Sequence, residues 1–378
     1  MTEHDGLRVR VRRLYRGETR INFIGNRNKW YLASFILIIV CLTSIAFRGF
    51  NYGIDFAGGT QFQVPATGTK ITTADVNSAF SSAGVKTSGP AQRVGSGSTT
   101  QIVIKVESLN PTQQQDVTAK VSKQLGLQPR DITTNSVSSS WGHDITVKAI
   151  EGLIVFLIVV SIYISIRFQW RMAVGGILAL LHDLIVAAGI YSIVGFEVTP
   201  STVVGLLTIL GFSLYDTVVV YDKVAENSKD ITAGSRMTYS EAANRAVNQT
   251  LMRSINTSLI ALLPVAGLLF VGAGVLGVGT IKDLALILFV GLASGAYSSL
   301  FLATPIVVDL TEIDPAYIAL TKRVVAKRSS EAARAAAAGE PAVVGANAVA
   351  AAQQLHRTGG GPAPAPRPGA RPQRRRRK

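Results

Sequence analysis

The chain is poor in charge and in cysteine. Of its 378 residues, 16% are Asp, Glu, Lys or Arg, whereas a soluble domain usually carries about 25%. The single cysteine, Cys41, excludes an internal disulfide and a cysteine-based metal site. The four histidines are scattered along the chain, with no metal-ligand or nucleophile–base spacing. The sequence therefore predicts no cofactor, no metal and no enzyme active site.

The formal charge of +15 is concentrated at the two ends. Residues 1–30 hold eight Lys or Arg against three acidic residues, and residues 326–378 hold eleven against two. Basic tails around an apolar centre are typical of the cytoplasmic flanks of a membrane protein, so a lipid bilayer is predicted and a specific nucleic acid is not. Beyond Lys327 the chain is rich in Ala, Pro, Gly and Arg, which predicts a disordered arm. That arm would touch anionic lipid or, alternatively, ribosomal RNA or another cytosolic partner.

Six apolar runs approach or exceed the ~20 residues that cross a bilayer core. They lie at 31–47, 147–166, 172–194, 201–221, 250–271 and 281–308. The first run continues into Arg48-Gly49-Phe50 rather than a small-x-small cleavage site, which favours an uncleaved anchor over a signal peptide.

The loops between the runs indicate an orientation. Lys and Arg occur between the second and third runs and between the fourth and fifth, whereas loops 195–200 and 272–280 contain neither. Both termini are therefore predicted in the cytoplasm of a plasma membrane, with residues 49–146 outside. The predicted organisation is a basic segment (1–30), a first helix (31–48), an outer domain (49–146), five further helices (147–310) and a cytoplasmic tail (311–378).

The outer domain shows alternating strand and helix patterns. Strands are predicted at 60–64, at Val94, at 101–107 and at 131–138, and helices at 72–83 and 111–125. The order β-α-β-β-α-β predicts a ferredoxin-like α+β domain. The predicted fold class is thus an α-helical polytopic membrane protein of six transmembrane helices with this domain.

Ionisable side chains inside a span are costly and are candidates for function. In the fourth span, Asp216 shares one helical stripe with Ser213 and Thr217. In the fifth span, Arg253, Asn256 and Thr257 share one face. The two spans run antiparallel, which brings Asp216 and Arg253 to similar depths. This pair predicts either a proton relay or a fixed ion pair, with Arg253 reaching lipid phosphates as a further alternative.

The third span carries His182 and Asp183 near the expected midplane. A histidine titrates near neutral pH and could relay protons. Adjacent helical positions point 100° apart, however, so hydrogen bonds to neighbouring helices are the alternative interpretation.

Glycines form two further motifs. After the first span comes Gly53-Ile-Asp55-Phe-Ala-Gly58-Gly59-Thr60, which lacks the lysine of a phosphate loop and is predicted to be a tight hinge. In the sixth span, Gly291 and Gly295 with Ser294, Ser298 and Ser299 form a small-residue face for close helix packing.

Together these motifs resemble the SecF branch of the SecD/SecF protein-export family. The residues 52–60 resemble its Gly-Ile-Asp-Phe-x-Gly-Gly-Thr signature, and residues 211–227 resemble the signature that contains Asn-Asp-Thr-Val-Val. Leu181-His182-Asp183, residues 253–258 and residues 295–299 also resemble family segments, in matching order over about residues 20–320. This chain departs from the family pattern at Tyr215, where the family usually has Asn.

The resemblance implies half of a resistance-nodulation-division type bundle that pairs with SecD. It implies work with the SecYEG channel, SecA and possibly YajC, using the proton-motive force to draw a preprotein outward. Asp216 and Arg253 match the family positions assigned to proton conduction, which favours the relay interpretation. The alternatives are a proton-coupled small-molecule exporter of the same superfamily and a purely structural clamp of the translocon.

Overall fold

The structure is a computed structural model that describes residues 21–66, 71–89, 91–95, 97, 100–273 and 279–337. Most of the predicted basic N-terminal segment and the Arg-rich end of the tail lie outside these residues. The described residues form two compact units, one within residues 21–229 and 239–312 and one within residues 230–238 and 313–337.

Six helices of the described residues are long and apolar enough to cross a membrane, as predicted. The first five are Arg27–Arg48, Ser139–Arg167, Trp170–Val194, Pro200–Asn227 and Tyr239–Gly267, the last continued by a π-helix at Leu268–Ala273. The helices extend beyond several of the apolar runs because polar residues at their ends continue the same hydrogen-bonded turns. We refer to these helices as the first to sixth spans.

The sixth span has three parts. An α-helix at Gly279–Ser298 is followed by a π-helix at Ser299–Ala303 and an α-helix at Thr304–Glu312. Pro305 has no N–H to offer the carbonyl group four residues earlier, and that carbonyl group lies inside the π-helix. A wider turn next to a proline is therefore expected here, and such turns are common at functional sites.

The domain between the first and second spans has the predicted ferredoxin-like order. Strands β2 (Gly59–Pro65), β3 (Gln92–Val94), β4 (Gln101–Val106) and β5 (Thr133–Val137) form an antiparallel sheet in the order β3-β4-β2-β5. The helices Thr73–Ser82 and Pro111–Leu125 both begin with a capping box. Phe62, Phe80 and their apolar neighbours form a closed core. The fold prediction is confirmed.

Two very short strands connect this domain to the bundle. Strand β1 (Asn51–Tyr52) follows the first span and pairs in parallel with β6 (Glu197–Val198), which lies between the third and fourth spans. After a four-residue helix, Gly58 and Gly59 adopt φ values of +72° and +130°. A side chain at Gly59 would lie 2.8 Å from the Val106 carbonyl oxygen. The predicted hinge is thus a glycine turn that leads into β2.

The prediction of disorder from residue 328 onward is wrong for its first ten residues. A helix at Pro315–Ala337 continues through them. This stretch is rich in alanine, the residue with the highest helix propensity, and that propensity outweighs the resemblance to a low-complexity tail. In the same unit, Arg323 donates a hydrogen bond to the Thr232 carbonyl oxygen at 2.6 Å.

Candidate functional site

Asp183, in the third span, is the most densely hydrogen-bonded buried carboxylate of the described residues. It is 1% exposed. Three serine hydroxyl groups donate to it at 2.6 Å each, namely those of Ser213, Ser294 and Ser298. The His182 Nδ1 atom lies 3.2 Å from its Oδ1. The side chains of His182 and Asp183 therefore do touch, although they are adjacent on one helix.

The second ring nitrogen of His182 has a different environment. Its Nε2 atom is buried and has no hydrogen-bond partner in the part of the chain that the structure describes. The ring packs against Tyr297, with 6.0 Å between the ring centroids. Tyr297 in turn hydrogen-bonds to the Trp30 carbonyl oxygen and to Ser34 of the first span. His182 thus connects the Asp183 carboxylate with an aromatic cluster between the first and sixth spans.

Asp216, in the fourth span, is also buried, at 3% exposure. Ser254 of the fifth span donates to its Oδ1 at 2.8 Å, and Ser299 of the sixth span donates to its Oδ2 at 2.6 Å. A carboxylate offers about four lone-pair sites, so these two hydroxyl groups leave half of its acceptor capacity free. Ser298 and Ser299 are consecutive residues, and they bind Asp183 and Asp216 respectively.

Arg253 does not pair with Asp216. Its guanidinium group is exposed and donates to the Tyr215 hydroxyl group at 3.2 Å. No ion pair joins Arg253 to an acidic residue in the described ranges. The predicted match in depth is present, because Ser254, next to Arg253, reaches Asp216. The Asp216 side chain is buried inside the bundle, whereas Arg253 lies on an exposed face of its helix.

The predicted supporting polar face is only partly at this site. Ser213 serves Asp183 rather than Asp216, and Thr217 is buried beside Gly176 of the third span. Asn256 and Thr257 are half-buried, and the Thr257 hydroxyl group donates to the Arg253 carbonyl oxygen of its own helix.

Sequence reasoning missed the serine donors as ligands of the carboxylates. The sequence patterns do not single out Ser254, and they predict only a packing role for Ser294, Ser298 and Ser299. A usable signal was present, since Ser294 and Ser298 are four residues apart on one helix face and the neighbouring spans carry intramembrane acids.

The glycines of the sixth span bring it close to the fourth. A side chain at Gly291 would overlap Ile209, and one at Gly295 would lie 2.8 Å from the Ser213 Cβ atom. This close approach lets the serine hydroxyl groups of the sixth span reach Asp183 and Asp216. Of the first glycine motif, Gly53, Gly58 and Gly59 form the hinge, and the half-buried Asp55 lies in its short helix.

Hydroxyl donors suit a carboxyl group that changes its protonation state. A serine hydroxyl group can donate to a carboxylate and, after rotation, accept from a carboxylic acid. An arginine can only donate, so it would stabilise the ionised form alone. In the described residues, no group of three or more His, Cys, Asp or Glu side chains could hold a metal ion. The serine hydroxyl groups at this site can therefore hydrogen-bond a carboxyl group in either of its protonation states.

Comparison with known families decides the family of the chain. Residues 117–313 match the model of the protein export membrane protein SecD/SecF, C-terminal domain, and residues 43–70 match that of the SecD/SecF GG motif. The chain belongs to the SecD/SecF family. The resemblance predicted from its motifs is confirmed.

The relatives place the chain in the SecF branch of this family. It is 47% identical over 322 residues to the protein translocase subunit SecF of Streptomyces coelicolor, covering 85% of each chain. It is 44% identical over 325 residues to SecF of Mycobacterium tuberculosis, covering 84% of this chain and 73% of the relative. As a SecF-branch member, it is a multi-pass membrane protein of protein translocation.

Solved structures of SecDF have a similar fold. The crystal structure of SecDF, a translocon-associated membrane protein from Thermus thermophilus, matches with a TM-score of 0.68 at 29% identity. This match covers 78% of the SecF-branch chain described here and 39% of SecDF. A second SecDF structure, in a super-membrane-facing form, matches with a TM-score of 0.54 at 28% identity.

Proposed function

We propose that this chain acts with SecD in the Sec translocase and uses the proton-motive force to promote preprotein export across a bacterial plasma membrane. It would do so as a transport subunit rather than an enzyme, with both termini in the cytoplasm. SecYEG, SecA and YajC are the proposed neighbours in that assembly.

The observation that carries the proposal is the setting of Asp216. This carboxylate is buried within a span, forms no ion pair with any residue that the structure describes, and is held by the hydroxyl groups of Ser254 and Ser299. Because those hydroxyl groups can satisfy both protonation states, Asp216 can load and release a proton without losing its partners. Asp183 is linked to Asp216 by the consecutive residues Ser298 and Ser299, which bind one acid each. Asp183 and its neighbour His182 extend the proposed relay. Arg253, at the same depth on the bundle surface, is its proposed fourth member.

The proposed partnership with SecD has a separate support. In SecDF of Thermus thermophilus, the matched part is 38% of a single longer chain. In the chain described here, the six spans expose many large apolar side chains, such as Leu259, Ile260 and Leu263 of the fifth span. Lipid covers such side chains readily, but the exposed Arg253 and Tyr215 beside them favour a protein neighbour.

The test is Asp216→Asn. This substitution keeps the volume and a hydrogen-bonding group while it removes the titratable proton. We expect normal insertion and assembly, with loss of the component of export that an uncoupler inhibits. Asp222→Asn is the matched control, because Asp222 lies on the same helix but is exposed and paired with Arg167. Uncoupler-sensitive export by Asp216→Asn at the wild-type level would contradict the relay.

A structural clamp is the second candidate function. The serine bonds to Asp183 and Asp216 join the third, fourth, fifth and sixth spans. If that joining is their whole purpose, Asp216→Asn will lower the amount or the thermal stability of the assembled complex and leave the uncoupler sensitivity of the remaining export unchanged.

A further inference from the structure

The loop between the third and fourth spans is a junction of several elements. The Glu197 carbonyl oxygen accepts a hydrogen bond from Tyr191 at 3.0 Å, and β6 pairs with β1 after the first span. The Gly53 N–H donates to the Val198 carbonyl oxygen at 2.8 Å. This short loop thus holds the first span and the entrance to the α+β domain.

Glu197 also reaches the sheet of the α+β domain. Its carboxylate lies 2.6 Å from the Lys105 ammonium group of β4, and the two side chains are 22% and 14% exposed. By contrast, the Lys148–Glu151 pair of the second span is 75% and 56% exposed. Exposed pairs contribute little to stability because water screens them, whereas a largely enclosed pair holds its partners more firmly. Lys105 and Glu197 therefore form a specific tie between domain and bundle.

Glu197 is also hydrogen-bonded to the sixth span. The Glu197 N–H donates to the Asp283 carboxylate at 3.3 Å, and the Tyr191 hydroxyl group donates to the Asp283 carbonyl oxygen at 3.1 Å. Beside them, the Lys282 ammonium group lies 4.1 Å from the centre of the Phe196 ring. The start of the sixth span is thus fixed to the loop by two contacts and to Tyr191 of the third span by a third contact.

The sixth span then runs from this junction to both buried carboxylates. It is one α-helix from Gly279 to Ser298, so Asp283 and Ser298 are separated by about 22 Å of continuous helix. Ser294 and Ser298 donate to Asp183, and Ser299 donates to Asp216. A helix that is attached at both places transmits a displacement at one of them to the other.

We propose that Glu197 is a positioning residue that transmits movement between the buried carboxylates and the α+β domain. The path runs from Asp183 and Asp216 through the sixth span to Asp283, and from there through Glu197 to Lys105. Glu197 stays bound to Lys105 throughout the cycle, as a tie and not as a contact that opens. The inference rests on the proposed proton-driven function. Glu197 would be the connection through which movement at the buried carboxylates reaches the α+β domain.

The first test reverses charges in cells where the variant replaces the wild-type chain. Lys105→Glu and Glu197→Lys should each reduce the uncoupler-sensitive component of export about fivefold or more, the low end of ordinary coupling between sites. The double variant Lys105→Glu/Glu197→Lys should restore most of it. Lys123→Glu and Glu107→Lys are the matched controls, because both residues are exposed on the same domain. Full uncoupler-sensitive export by either single variant would overturn the proposal.

The second test distinguishes a tie from a switch and from simple packing. Lys105→Cys/Glu197→Cys, with Cys41→Ala, should lose the uncoupler-sensitive component and regain it after reaction with a short bifunctional maleimide. The abundance of the complex and its uncoupler-insensitive export should not change. A covalent link that blocks export shows that the contact has to open. If the abundance of the complex falls to the same extent as export, the Lys105–Glu197 contact serves folding alone. Either of these two results overturns the inference.

Failure of the proposed function gives a different pattern from failure of this inference. If export by the wild-type chain and by Asp216→Asn responds equally to an uncoupler, the relay fails, and with it the movement that Glu197 would transmit. If Asp216→Asn is defective while the Lys105 and Glu197 variants are normal, only the inference about Glu197 fails.

Discussion

At the scale of single residues, serine has a chemical role in this bundle as well as a packing role. Five serines of the fourth, fifth and sixth spans donate to the two buried acids. Asp183 accepts from Ser213, Ser294 and Ser298, and Asp216 accepts from Ser254 and Ser299. Unlike a lysine or an arginine, a hydroxyl group adds no charge that would have to be buried with the acid. The carboxylates are therefore held in place by hydrogen bonds from uncharged groups.

Two serines of the fifth span offer a matched comparison. Ser254 donates to Asp216, whereas the Ser258 hydroxyl group, one turn further on, is buried without a partner in the described residues. Ser254→Ala should destabilise the detergent-solubilised complex by about 1–2 kcal/mol, because a buried carboxylate loses a donor. Ser258→Ala should leave the stability unchanged or raise it, since it removes an unsatisfied polar group.

The measurement is thermal unfolding of the two variants and the wild-type chain in the same detergent. Equal losses from Ser254→Ala and Ser258→Ala would mean that the hydroxyl groups act through volume alone. In that case, the hydrogen bonds to Asp216 would not explain how this acid is accommodated.

At the scale of elements, glycine residues allow the sixth span to pack closely against the fourth span. Gly291 packs against Ile209 so closely that any side chain there would overlap it. Small residues of this kind allow two helices in a membrane to approach until side-chain hydroxyl groups and backbone atoms meet. The π-helix that begins at Ser299 then turns this serine towards Asp216 while Ser298 faces Asp183.

Gly291→Ala should therefore destabilise the bundle by about 1–3 kcal/mol, the usual effect of overpacking. Gly152→Ala in the second span is the control. No atom lies within 4 Å of a side chain there, so this change should be neutral or slightly stabilising. Adding Ile209→Ala to Gly291→Ala should recover part of the loss, as it removes the two closest atoms. The readout is the amount and the thermal stability of the assembled protein, and equal behaviour of the two glycine variants would contradict close packing.

At the scale of the whole molecule, the proposed function requires the α+β domain on the outer side. Ser108 is exposed in this domain, and Lys229 is exposed after the fourth span. With Cys41→Ala, Ser108→Cys should react with a membrane-impermeant thiol reagent in intact cells, and Lys229→Cys should react only after the cells are opened. Cys41 is the single cysteine of the chain, so Cys41→Ala removes its contribution to background labelling. Labelling at Lys229→Cys with protection at Ser108→Cys would reverse the orientation.

Patterns in the amino-acid sequence were sufficient to predict the six spans, the order of elements in the α+β domain and the family. Each of these depends on patterns that are local along the chain. An apolar run of ~20 residues can satisfy its backbone in lipid only as a helix, whatever its neighbours are. Strand and helix periods, caps and glycine turns are likewise encoded within a few residues, as at Thr72, Asn110 and Gly59.

The contacts between side chains of different spans could not be predicted from the sequence, because they depend on how the helices pack. Depth along a helix follows from counting residues, and Asp216 and the Arg253–Ser254 pair indeed lie at one level. Rotation about the helix axis and the identity of the neighbouring helix do not follow from counting, because every helix offers several faces. As a result of this packing, Asp216 accepts hydrogen bonds from Ser254 and Ser299, whereas Arg253 donates to Tyr215. For the same reason, the ion pair between Lys105 and Glu197 could not be predicted from the sequence, because it depends on how the folded α+β domain packs against the loop.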